Sequence, residues 1–301
     1  MSRAARKLPK TDLAISAITL AFCNQKGGVG KTTTAVNLAA CLADAGAKVL
    51  LVDLDPQGNA STGLGVARHT VATGTYEVLD GTDVSEAIVG CVVAGLDVLP
   101  STLDLAGAEV ELVSAEKRET RLKQALAKVS TDYDYILVDS PPSLGLLTIN
   151  ALVAADAVII PIQCEYYALE GLGQLLRTVE LVRDGLNHGL SVGGVVLTMY
   201  DARTRLSEQV VSEVRAHLGE VVFRMVIPRT VRLSEAPGYG KPVTLYDPSS
   251  RGSFTYKALG VEVMHRWPRG PAIEELPGPV IQILEPGAAL PDDERREEAH
   301  A

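Results

Sequence analysis

The run Asn24-Gln25-Lys26-Gly27-Gly28-Val29-Gly30-Lys31-Thr32-Thr33 lies between an apolar segment, residues 15–23, that reads as a strand and an amphipathic one, residues 32–45, that reads as a helix. The helix reading rests on Val36, Leu38, Ala39 and Leu42, with Gly46 as its stop signal. A strand, a glycine-rich turn and a helix form the context that a phosphate-binding loop needs. Glycine lets backbone N–H groups curl around phosphate oxygens where a side chain would clash. The helix that follows turns its positive N-terminus toward them. Gly27, Gly28, Val29, Gly30 and Thr33 are therefore expected along the phosphates, Lys31 at the β- and γ-phosphates, and the Thr32 hydroxyl on Mg²⁺. The ordinary spacing puts glycine at position 25, but Gln25 stands there, and an extra cation, Lys26, precedes the glycines. The competing reading, a glycine-rich turn with no ligand, leaves the flanking strand and helix unexplained.

Two carboxylate segments complete the expected site. Residues 49–52 are wholly apolar, as in a central parallel strand, and run into Asp53-Leu54-Asp55-Pro56-Gln57-Gly58-Asn59. A later strand ends in Val138-Asp139-Ser140-Pro141-Pro142. Open α/β sheets bind ligands at the carboxyl ends of their strands. Asp139 is thus expected to hold Mg²⁺, directly or through water, and one of Asp53 and Asp55 to face the γ-phosphate. The alternative for any of these aspartates is a helix cap or a turn.

Further strands are expected at residues 96–99, 135–138, 157–162, 192–199 and 221–227, and helices at 115–129, 144–154, 169–186 and 206–218. The alternation implies an α/β fold: a doubly wound, mostly parallel sheet of seven to eight strands with helices on both faces, of the P-loop NTPase type. One ATPase domain is expected over 15–266, after a basic arm (1–14) carrying Arg3, Arg6, Lys7 and Lys10. Beyond Trp267, recurrent prolines and the charged run 292–298 read as an acidic, disordered tail, 267–301.

The net charge of −9 argues against coating DNA by bulk charge. The four cysteines match no zinc spacing and read as buried thiols, consistent with a reducing cytoplasm. No apolar run approaches the roughly 20 residues of a membrane span.

Together with the phosphate loop and the Asp53–Asn59 segment, several stretches resemble the ParA family of chromosome- and plasmid-partitioning ATPases. These are Asp-Ser-Pro-Pro-Ser at 139–143, Glu-Tyr-Tyr-Ala-Leu-Glu-Gly at 165–171, Thr-Met-Tyr-Asp-Ala-Arg-Thr at 198–204, and Ile-Pro-Arg-Thr-Val-Arg-Leu-Ser-Glu-Ala-Pro at 227–237. The similarity covers about residues 15–265. It implies a weak ATPase that forms an ATP-dependent homodimer with nucleotide sandwiched between subunits. Lys26 would reach the partner's phosphates, Asp55 would position the attacking water, and Asn59, Pro228 and Arg229 would lie near the purine or ribose. It further implies nonspecific double-stranded DNA and a ParB-type centromere-binding protein as partners, and nucleoid association in the cytoplasm. Residues 198–257 hold nine Lys/Arg and six Asp/Glu, a net of +3 against −12 for the remainder. Arg203 and Arg232 match the family's DNA-binding arginines, and Lys241 is added by its nearness in sequence. A solvated or salt-bridged surface role is the alternative for each.

Three rivals share parts of the pattern. A MinD-type membrane-positioning ATPase needs a basic amphipathic C-terminal helix, whereas this tail is broken by proline and acidic. An iron–sulfur electron carrier needs matching cysteine motifs, which Cys91 and Cys164 lack. A metabolic kinase would need a small-molecule acceptor.

Overall fold

The computed structural model describes residues 16–165 and 171–270. The strands are β1 (Ile18–Phe22), β2 (Val49–Asp53), β3 (Val89–Gly90), β4 (Leu96–Leu99), β5 (Tyr135–Asp139), β6 (Ala157–Gln163), β7 (Ser191–Tyr200) and β8 (Val222–Pro228). They form one eight-stranded sheet in the order β3-β4-β2-β5-β1-β6-β7-β8. All pairings are parallel except β3 with β4. The seven strands expected from apolar runs are all present, and the eighth is the two-residue β3.

The central strands are almost wholly apolar up to their carboxyl ends because both faces are covered. On one face Ala21, Val52, Val138 and Ile160 pack under helices that include Arg121–Leu126, Leu146–Ala154 and Leu172–Gly185. On the other, Phe22, Leu51, Leu137 and Ile159 pack under Lys31–Asp44 and Arg251–Arg266. Successive residues of one strand thus feed opposite cores, as the two-residue period demands.

Two expectations need correction. The helix expected over 115–129 is confined to Arg121–Leu126, because the chain before it turns, with Lys117 at a φ of +53°. The Arg251–Arg266 helix was not among the expected helices. Ser250 caps it by accepting from Ser253 N, and the Tyr256 hydroxyl meets Thr34 Oγ1 at 3.3 Å. Gly260 lets the two helices close, since a Cβ there would lie 3.2 Å from Cys41 Cβ. Past this helix the Tyr135 hydroxyl donates to Trp267 O at 2.6 Å, which ties the chain under the N-terminal edge of the sheet. The basic arm (1–14) and the tail from residue 271 lie outside the described residues.

The candidate nucleotide and magnesium site

The sheet reverses its winding direction at β1, where β5 lies on one side and β6 on the other. Ligands of doubly wound sheets lodge at such a crevice. The loop 24–30 leaves β1 there. Gly28 and Gly30 take φ values of +74° and +87°, left-handed angles that a side chain disfavours. Gly30 is the N-cap of the Lys31–Asp44 helix and offers no side-chain cap, so the first-turn N–H groups are left for an anion.

The loop is fastened from the β7 side. Thr198 Oγ1 donates to Val29 O (2.8 Å) and lies 3.2 Å from Ile162 O, while its methyl side lies 3.6 Å from where a Cβ on Gly30 would be. Thr198 lay inside a family-like segment, but nothing local in the sequence assigned it this function. Gln25, in the place of the ordinary glycine, carries a buried Nε2 with no hydrogen-bond partner among the described residues.

Lys31 and Lys26 differ sharply. Lys31 is buried, and its Nζ donates to Lys26 O at 3.2 Å. Burial lowers its pKa, opposed by the nearby charges of Asp139 and Asp55. The Lys26 side chain is half exposed, and its Nζ meets Glu165 Oε2 at 3.3 Å.

The carboxylates divide their work. Asp53 and Asp139 end adjacent strands in register. Asp53 is fully buried, and its Oδ2 accepts from Ser61 N (2.8 Å) and Ser61 Oγ (2.6 Å), while Oδ1 accepts from Asp55 N (3.3 Å). Burial pushes its pKa up to about 6 despite these bonds. Its oxygens are thus committed to the turn that follows β2. Asp55 is held by its own turn, with Oδ1 accepting from Gln57 N at 2.9 Å, and its charge acts on Lys31. Of the pair, Asp55 is the one suited to face a ligand. Arg68, which the sequence reading missed, secures this turn by donating to Pro56 O (2.6 Å), Gln57 O (2.7 Å) and Thr102 O (3.1 Å).

Asp139 is fully buried, and among the described residues neither of its oxygens completes a hydrogen bond. Burial, and then the charge of Asp53, raise its pKa well above the ordinary carboxylate value, while the neighbouring Thr32 hydroxyl and Lys31 act the other way. A buried carboxylate with open oxygens beside a hydroxyl suits a hard divalent cation, whose charge would offset the burial penalty. Thr32 and Asp139 therefore fit the Mg²⁺ role expected of them.

Asn59 opens the Asn59–Gly63 helix and lines a groove of about 260 Å³ with Thr32, Thr33, Asn37, Pro237 and Lys241. Lys241 thus borders the helix that carries the loop. Pro228 ends β8, buried opposite Tyr200, and Arg229 N donates to Tyr200 O at 2.9 Å. Arg203 is exposed and grips Asp201 with both Nε and Nη2 at 3.0 Å. Arg232 pairs with Glu235 (3.0 Å) and Asp247 (3.2 Å). Cys23, Cys41 and Cys164 are buried, as read from the sequence, whereas Cys91 is only partly so. Burial pushes the Cys23 thiol up to about 12, which leaves it unreactive beside the site. Of the segment 165–171, residues 166–170 lie outside the described residues.

A family model described as an AAA domain matches residues 17–192. The chain is 59% identical over 245 residues to the sporulation initiation inhibitor protein Soj of Bacillus subtilis, covering 81% of this chain and 97% of that protein. It is 54% identical over 248 residues to the chromosome partitioning protein ParA of Myxococcus xanthus, covering 82% and 88%. Among solved structures it resembles cobyrinic acid a,c-diamide synthase from Mycobacterium smegmatis with bound ATP analogue and magnesium. That likeness has a TM-score of 0.74 and 40% identity and covers 83% of this chain and 96% of that one. The phosphate loop, the strand-end aspartates and these identities over four-fifths of the sequence agree: the chain belongs to the Soj/ParA family of chromosome-partitioning ATPases.

Proposed function

We propose that the chain is an ATP- and Mg²⁺-dependent DNA-segregation switch, in which ATP joins two subunits face to face and hydrolysis releases them from DNA. The observation that carries this reading is the contrast between the two lysines of one loop: Lys31 is buried near Asp139 and Asp55, and Lys26 is half exposed at the rim. Phosphoryl transfer needs positive charge on the γ-phosphate oxygens and an in-line water, with little covalent chemistry. Lys31, Thr32 and Asp139 supply the charge and the metal seat from within the subunit, and Asp55 orients the water. Lys26 supplies its charge to the partner's nucleotide, which makes dimer formation and ATP occupancy depend on each other. Gly27–Gly30 and Thr33 line the phosphates, and Asn59, Pro228 and Arg229 border the nucleoside.

Arg203, Arg232 and Lys241 form the DNA-facing set in this reading: Arg203 in the loop after β7, Arg232 in the short helix Val231–Glu235 after β8, and Lys241 in the turn beyond it. Contacts from such side chains would be to phosphates, sequence-blind and salt-dependent. The Asp201, Glu235 and Asp247 pairs mean that phosphate must compete with local carboxylates, which lowers the affinity these arginines supply. A ParB-type protein is the expected partner, and the nucleoid the expected location.

The test is ATP turnover with and without nonspecific duplex DNA and a ParB-type protein. Joint stimulation supports the reading, and indifference to both, or stimulation by a small metabolite instead, sinks it. Lys26→Ala is expected to bind ATP but fail to dimerise, while Lys31→Ala loses nucleotide binding itself. Equal loss of binding in both would erase the distinction.

A further inference from the structure

We propose that the end of β6 is a holding site for Lys26 within its own subunit, with Glu165 as its positioning residue. The inference rests on the reading above, in which Lys26 acts across a dimer.

Every polar group of Lys26 is held from inside the subunit. Its N–H donates to Asn24 Oδ1 at 3.0 Å, and Asn24 Nδ2 in turn donates to Pro161 O, within β6, at 2.7 Å. Its carbonyl accepts from Lys31 Nζ at 3.2 Å. Its ammonium meets Glu165 Oε2 at 3.3 Å. The Glu165 carboxylate is itself aimed: Gln163, the last residue of β6, donates from Nε2 to Glu165 Oε1 at 2.6 Å. Glu165 N also donates to Gln163 O at 2.8 Å, closing a tight turn. The segment 161–165 therefore holds the Lys26 side chain directly, through Glu165, and its backbone through Asn24, from the strand beside the phosphate loop.

A lysine bound this way cannot also reach a partner's phosphate. The pair has to open first, and the energy of opening is subtracted from the dimer. The two side chains are 49% and 48% exposed, so the pair is weak and screened by salt. That weakness suits a latch that ATP must be able to undo. A triphosphate in the loop competes for Lys31 Nζ, which now holds the Lys26 carbonyl, and so loosens one of the three restraints on Lys26. Nucleotide arrival and release of Lys26 are thereby linked without any large rearrangement.

The test compares wild type with Glu165→Gln by light scattering over a range of protein concentration, with Mg²⁺ and a slowly hydrolysed ATP analogue. At low salt Glu165→Gln is expected to reach half-dimer at about two- to thirtyfold lower protein concentration, the range set by opening one exposed ion pair in each of two subunits. The gap should narrow as salt rises. Gln163→Met, which keeps the charge but loses the bond that aims it, should shift the same way by less. If Glu165→Gln dimerises no more readily than wild type at low salt, or less readily, Glu165 does not hold Lys26 back. A gap unchanged by salt assigns Glu165 a structural role instead. A wild-type chain that stays monomeric with the analogue removes the dimer reading itself, and this inference with it.

Discussion

Asp53 offers the most quantitative check on the site. It is fully buried at the end of β2, accepts from Ser61 N, Ser61 Oγ and Asp55 N, and has its pKa raised from 3.8 to about 6, with burial as the main cause. A carboxyl group with a raised pKa binds more protons folded than unfolded, so its favourable contribution is complete below its unfolded value. That contribution is lost as pH rises through the folded value, so stability falls across the window from about 4 to about 6. The rise from 3.8 to about 6 corresponds to about 3 kcal/mol. Asp53→Asn keeps the shape and an acceptor for Ser61 but removes the charge. Relative to wild type, the variant should therefore gain about 3 kcal/mol on going from acid to neutral pH, whatever its offset at acid pH. Asp139 adds a fall of the same sign in wild type, and part of its own rise comes from Asp53, so the variant should also carry a weaker residual slope. Urea unfolding of both proteins, without nucleotide or Mg²⁺, at a series of pH values measures the difference. Stability curves that run parallel through the window would refute the assignment of a buried, proton-poised Asp53.

The remaining predictions concern the loop, the turn, the metal and the sheet edge. Thr198→Val keeps the methyl contact near Gly30 but loses the bond to Val29 O, so ATP affinity should fall by about tenfold, a cost of roughly 1–2 kcal/mol; unchanged affinity by calorimetry would remove Thr198 as the fastener. Arg68→Ala removes the guanidinium that ties the turn's own Pro56 and Gln57 carbonyls to Thr102 O and should lower kcat by more than tenfold with a smaller change in KM, since about 1 Å of misplacement can cost that much. An effect confined to KM would contradict this. Mg²⁺ binding should release protons and strengthen with pH because Asp139 is raised well above its ordinary value, and Asp139→Asn should lose both the affinity and its pH dependence; calorimetry in buffers of different ionisation heat reads the proton count directly. Glu262 accepts from Arg224 N and Met225 N at 2.8 Å along β8, the edge strand. Glu262→Leu should cost about 1–3 kcal/mol, read by thermal unfolding, and raise self-association through the uncovered edge; a variant as stable and as monodisperse as wild type would argue that the edge needs no cover.

The sequence alone carries whatever depends on neighbours in the chain. The glycines at 28 and 30 fix a loop shape because left-handed backbone is available to few other residues, and the flanking strand and helix follow from apolar period. The strands were legible because burial on both faces leaves uniformly apolar runs such as Val49–Asp53 and Tyr135–Asp139. Local pattern failed at Arg251–Arg266, where Gly252 and Gly260 argue against a helix; Gly260 allows the close approach to Cys41, a residue more than two hundred positions away. It also failed to separate Asp53 from Asp55. Two aspartates two positions apart look alike in the chain, and only the placement of Ser61 commits the first to the turn. The same holds for charge. In the sequence Arg232 and Lys241 are bare cations; the structure adds Glu235 and Asp247 beside the first and a groove shared with Thr32 and Asn59 beside the second. Backbone shape is encoded by spacing within a few residues. The partner of a polar group is set by which distant segments the sheet brings together, and here that set which lysine is buried, which is held at the rim, and which carboxylate stands open for a metal.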